Sequence, residues 1–100
     1  MLSAPPIPLI YDARMIRDGD DSREAISARL VRVREILGMK KKDFAAGVGM
    51  SEQHYGQIEN MTRDLSLGAA KSLRNAYGLS FEFLFFGDTD ALPHKIAKEL

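Results

Sequence analysis

The side chains best suited to recognition chemistry gather in one short stretch. From Ser51 onward, helical spacing sets Tyr55 and Ile58 on one side and Glu52, Gln53, His54, Gly56, Gln57 and Asn60 on the other. The polar side carries amides and an imidazole, with no Lys or Arg. A carboxamide both donates and accepts, so Gln53 and Gln57 suit a paired donor and acceptor such as the N6/N7 edge of adenine in a major groove. Gly56 adds no side chain and lets the helix backbone approach a groove wall closely.

A pair of short helices would position this face. The first covers about Lys41 to Val48 with Phe44, Ala45 and Val48 apolar; Gly49-Met50 form the turn, and Ser51 caps the second. A short connection around a glycine crosses two helices at roughly 90–120°. Around this pair the punctuation is dense. Asp21, with Glu24 three residues on, is expected to cap a helix carrying Ile26, Leu30, Val33 and Leu37 and ending at Gly38. Ser66 caps a helix with Leu67, Ala70, Leu73 and Tyr77 on one side, ended by Gly78, and Ser80 opens a very short one closed by Gly87. No segment alternates with period two between hairpin turns, so the expected fold is all-α, with five helices. In the last of these, helical spacing turns Phe81, Leu84 and Phe85 to the core and leaves Phe83 and Phe86 to a covering partner. That cover is the N-terminal arm, a tail helix over Pro93 to Leu100 with Ile96 and Leu100 on one side, or a second copy of the chain.

The expected organisation is an arm over 1–20, a domain over 21–87 and a tail with a short helix over 88–100. The arm holds Pro5, Pro6 and Pro8, which favour extended backbone, yet Ile7, Leu9, Ile10, Tyr11, Met15 and Ile16 are too apolar for a pure linker. Net charge is zero overall, but residues 23–87 hold ten Lys/Arg against seven Asp/Glu, flanked by two mildly acidic ends.

Several chemistries are not expected. Zero cysteines exclude disulfides, thiolate metal sites and a cysteine nucleophile, and His54 and His94 lie too far apart for a zinc spacing. Gly47-Val48-Gly49 opens like a dinucleotide fingerprint, but Glu52 stands at the third glycine's place and no strand precedes it. No Ser/His/Asp order or carboxylate pair suggests an enzyme, and no cofactor or metal is expected. The first residues lack a basic n-region, and no apolar stretch nears the roughly 18–20 residues of a membrane span, so the expected location is cytoplasmic.

Leu37-Gly38-Met39-Lys40-Lys41-Lys42-Asp43-Phe44-Ala45, Val48-Gly49-Met50-Ser51, Tyr55 and Gln57-Ile58-Glu59-Asn60 together resemble the Cro/C1-type helix-turn-helix of phage-repressor-like (XRE family) regulators. The likeness continues through Leu73, Ala76-Tyr77-Gly78-Leu79-Ser80 and Phe81-Glu82-Phe83-Leu84, spanning about 22–87. It implies a compact five-helix, lambda-repressor-like domain that binds double-stranded DNA, from a bacterium or phage, nucleoid-associated when bound. On its pattern Ser51, Glu52, Gln53, His54 and Gln57 face base edges or adjoining phosphates. Lys41 lies against the duplex backbone, and Asn60, Thr62 and Arg63 contact phosphates beyond the recognition helix. Arg34 and Glu59 match an internal ion pair. This chain departs from the pattern at Lys40, where a small polar cap is usual, at Met61, where a glycine normally ends the helix, and at Glu52, an acid on the DNA side. The expected function is a repressor or autoregulator reading a pseudo-palindromic operator as a homodimer. The alternative is a protein-interaction adaptor of antitoxin or anti-activator type, engaging its partner through the arm or through Phe83 and Phe86.

Overall fold

A computed structural model of the chain describes residues 20–100. The expected arm, apart from Asp20, lies outside the described residues. Six helices follow: α1 Arg23–Ile36, α2 Lys41–Gly47, α3 Glu52–Glu59, α4 Leu67–Tyr77, α5 Phe81–Phe86 and α6 His94–Ala97. All regular structure among the described residues is helical.

Serines start four of these helices in the same way. The hydroxyls of Ser22, Ser51, Ser66 and Ser80 accept from the backbone N–H of Ala25, His54, Ala69 and Phe83 at 3.0–3.1 Å. Each bond satisfies an otherwise orphaned donor and contributes about 1 kcal/mol. The cap of α1 is thus Ser22, where Asp21 was expected. The reason is local: Asp20 Oδ1 accepts from Ser22 N–H at 2.8 Å, and this turn brings Ser22 into the extended conformation a cap needs. That hydrogen bond also holds the Asp20 carboxyl below its ordinary range.

Three helices end in one kind of turn. In the six-to-one bond of the Schellman motif, Met39 N–H reaches Arg34 O, Met50 N–H reaches Ala45 O and Thr62 N–H reaches Gln57 O. The left-handed residue is Gly38 after α1 and Gly49 after α2, but Met61 after α3, with φ 67°. A side chain in that region costs roughly 1–2 kcal/mol, part of which glycine returns as unfolded-state entropy. Met61→Gly is therefore expected to raise stability by about 0.5–1 kcal/mol in urea unfolding. A loss of stability would show that the exposed Met61 side chain makes a contact that outweighs its strain.

The core gathers Leu30 and Val33 of α1, Phe44 of α2, Tyr55 and Ile58 of α3, Leu73 of α4 and Phe83 and Leu84 of α5. Leu92 and Ile96 join the same cluster, Arg32 donates to Glu99 O at 2.7 Å, and the Pro93 ring abuts Gly78, so the tail packs on the domain. Its helix is shorter than expected, four residues, and Leu100 is partly exposed. Two apolar assignments change. Leu67, the first residue of α4, is exposed, while Leu65 just before the helix is buried in the core. Phe83 is fully buried and does not face a partner. The six-residue α5 sits in a corner between α1 and α4, so its buried arc is wider than one helix face. Phe81 and Phe85 are half-buried at the rim of that corner, and only Phe86 of the four points clearly to solvent.

Candidate nucleic-acid interface

Phe44 sets the angle between α2 and α3. Its ring stacks on Tyr77 at 4.5 Å and meets Tyr55 at 5.1 Å, and Tyr77 OH donates to Phe44 O at 3.0 Å. Burial raises the Tyr77 phenol above its ordinary value, so it remains a donor. A methyl group on Gly47 would collide with that hydroxyl, which is why glycine ends α2. Ser51 then starts α3 across the Gly49 turn.

A buried carboxylate fixes α3 to the other two helices. The Glu59 side chain is 4% exposed and takes Arg34 in two parallel bonds, Nε to Oε2 at 2.8 Å and Nη2 to Oε1 at 3.2 Å. Tyr55 OH donates to the same Oε2. Lys41 Nζ lies 3.9 Å from Oε1, at the outer limit of an ion pair and with its side chain 43% exposed. The backbone joins in, since Ser27 Oγ donates to Glu59 O at 2.6 Å, and Arg34 also reaches Met39 O at 3.2 Å. Hydrogen bonding to Glu59 raises the Arg34 guanidinium further, and desolvation followed by the bond to Glu59 raises the Tyr55 phenol far above its ordinary value. Helices α1, α2 and α3 therefore meet at one charged point beneath the face that α3 presents.

With Tyr55, Ile58 and Glu59 turned inward, about 100° per residue places Gln53, Gln57 and Asn60 opposite them. Ser51, Glu52, Gln53 and Asn60 are exposed, and His54, Gly56 and Gln57 are half-buried. Glu52 sits in the first turn of α3, where its charge favours the helix dipole. The loop after α3 folds back on Gln57: Thr62 donates N–H and Oγ1 to its carbonyl at 2.9 and 3.2 Å, and Arg63 Nε donates to its Oε1 at 2.7 Å. Thr62 and Arg63 are both exposed beside α3. Lys40 makes no side-chain cap for α2, so the α2 start relies on backbone bonds such as Phe44 N–H to Lys40 O at 2.9 Å. No helix of the described residues is long and apolar enough to cross a membrane, and no group of three or more His, Asp or Glu there is placed to hold a metal.

Gly56 faces open space, so a methyl group there meets nothing within 4 Å. Alanine in a helix interior gains roughly 0.5–1 kcal/mol over glycine. Gly56→Ala is thus expected to raise stability by about that amount while weakening duplex binding, if close approach to DNA is what keeps the glycine. Equal or tighter binding by the stabilised variant would show that no surface comes near position 56.

Sequence reasoning missed three contributors. Ser27 and the Tyr55 hydroxyl belong to the Glu59 network, and Arg29 is fully buried with Nη1 3.1 Å from Leu84 O. Position 29 falls on the same helical face as Ile26, Leu30 and Val33, a signal that its polar identity masks.

Comparison with curated proteins and with solved structures gives no match. A family model described as helix-turn-helix matches residues 30–84, more than half of the chain, from the middle of α1 to Leu84 of α5. The match takes in α2, the Gly49 turn and α3 with the polar face just described, and the chain belongs to the XRE, Cro/C1-type helix-turn-helix family of DNA-binding regulators.

Proposed function

We propose that this protein is a sequence-specific transcriptional regulator, a repressor or autoregulator, that binds a pseudo-palindromic operator in double-stranded DNA as a homodimer. The observation that carries this reading is the outward amide face of α3, held on a platform of α1 and α2 by the Glu59 network. Gln53 and Gln57 read base edges, assisted by Ser51, Glu52 and His54. Lys41, Asn60, Thr62 and Arg63 set the register on phosphates. One helix-turn-helix covers too few base pairs to be selective, so two copies read half-sites about one DNA turn apart. The exposed Phe86 ring is the aromatic of α5 available to such a contact.

Fluorescence anisotropy with a selected site and a random duplex tests the division of labour. Gln53→Ala or Gln57→Ala is expected to cost roughly 1–3 kcal/mol on the selected site and little on random duplex. Lys41→Ala is expected to weaken both and to reduce the salt slope by about one. Identical behaviour of the two kinds of variant contradicts the assignment. An adaptor reading has one observation in its favour: α3 itself carries no Lys or Arg, and its exposed Glu52 puts a negative charge on this face. An adaptor would bind duplex weakly or without salt dependence.

A further inference from the structure

We propose that Arg63 is a positioning residue that holds the Gln57 amide with its oxygen toward the guanidinium and its nitrogen outward, so that Gln57 favours guanine where a free glutamine would favour adenine. The inference rests on the DNA-reading function proposed above and goes beyond it by assigning a base preference to one side chain.

The chemistry follows from a single contact. Arg63 Nε lies 2.7 Å from the Gln57 side-chain oxygen. A guanidinium has five N–H donors and no acceptor, so the amide atom facing it must be the carbonyl oxygen. The orientation of Gln57, normally ambiguous between oxygen and nitrogen, is therefore decided by its partner. The amide nitrogen then points away from Arg63, and no hydrogen bond among the described residues is assigned to it. The same loop also holds the Gln57 backbone, because Thr62 donates twice to its carbonyl. Met61, left-handed at φ 67°, makes the reversal that brings residues 62 and 63 back over α3.

The consequence concerns which base edge fits. Adenine is recognised by glutamine through one donated and one accepted bond, to N7 and from N6. The Gln57 oxygen keeps a second lone pair, but it is turned toward the Arg63 guanidinium, so a further donor such as adenine N6 would have to approach beside a positive charge, and the donating half is favoured. Guanine offers two acceptors, N7 and O6, to an NH2 group and nothing that needs an acceptor on that edge. Arg63 adds positive charge beside the same acceptors. Gln53 has no such partner among the described residues and keeps both halves of its amide.

The test has two arms. In the free protein, the Arg63 Nε–H resonance is expected to be resolved and slow to exchange with water, and to lose that protection in Gln57→Ala; an Arg63 Nε–H that exchanges as fast as in a free guanidinium overturns the proposal. In the second arm, sites are selected from random duplexes by the wild-type chain, Gln57→Ala and Arg63→Ala. The position where Gln57→Ala loses its preference identifies the base that Gln57 reads. Guanine is expected there for the wild type, and Arg63→Ala is expected to shift the preference toward adenine by about fivefold or more, the lower end of what a bidentate pair discriminates. A wild-type preference for adenine, or an Arg63→Ala variant that is uniformly weaker with an unchanged base spectrum, overturns it. A wild-type chain that binds no duplex defeats the regulator reading and the base preference together, and a protected Arg63 Nε–H in that case shows the clamp to be structural only.

Discussion

Glu59→Ala is expected to destabilise the fold by about 3–5 kcal/mol, the cost of leaving a buried charge without its partner. The carboxylate is nearly inaccessible and accepts from Arg34 twice and from Tyr55 once, with Lys41 at the edge of ion-pair range. Its removal strands a guanidinium whose side chain is only 16% exposed and a phenol far from water. Stability totals of small domains are about 5–15 kcal/mol, so such a variant sits near unfolding. Arg34→Ala is expected to cost less, because Glu59 keeps Tyr55 and Lys41 and can draw the Lys41 ammonium closer. Urea unfolding of the two variants measures the asymmetry. A Glu59→Ala loss below about 1 kcal/mol, a value typical of exposed pairs, would show that solvent already relieves the site. The functional consequence is direct, since α3 is tied to α1 and α2 through this carboxylate and its backbone carbonyl.

Phe83→Ala is expected to cost about 3–5 kcal/mol as well, by the loss of buried area and the cavity left behind. Phe83 has no exposed surface, and the corner of α1 and α4 around it closes only by moving helices that also carry Leu30 and Leu73. Phe86→Ala, at a ring 52% exposed, is expected to change monomer stability by less than about 0.5 kcal/mol. The contrast separates the two rings by role. If Phe86 contributes to the proposed dimer, its variant lowers the concentration-dependent component of stability while Phe83→Ala lowers the intrinsic one. Equal effects of both substitutions on thermal unfolding at several protein concentrations would mean that α5 is not packed as described.

The helices were legible because their ends are chemically marked. Ser51, Ser66 and Ser80 are the caps that sequence reasoning places, and the left-handed Gly38, Gly49, Gly78 and Gly87 are the stops. At Asp21 the signal was degenerate, with Asp20, Asp21 and Ser22 all able to cap, and only the backbone turn decides among them. Helical periodicity identified the core of α1 and α3 but failed at both ends of its range. In α5 six residues are too few to define one buried face, which misplaced Phe83, and Leu67 has the right spacing but, at the very start of α4, stays exposed. Arg29 was invisible because a charged residue on an apolar face is read as solvent-facing, whereas its Nη1 reaches a carbonyl on α5. The outward face of α3 was readable from the positions of Tyr55 and Ile58. The contact from Arg63 to Gln57 was not, because it depends on how the chain reverses at Met61: the family pattern marks position 61 as a helix stop, but a methionine there does not show that the left-handed turn is kept.

Selection of bound sites from a library of random duplexes probes the role of the α3 surface with the fewest intermediate assumptions. A DNA-reading face predicts enrichment of a pseudo-palindrome whose half-sites lie about 34–36 Å apart centre to centre, lost when Gln53 and Gln57 are both replaced by alanine. Recovery of no enriched sequence by the wild-type chain, or of the same sequence by the doubly substituted one, would contradict it.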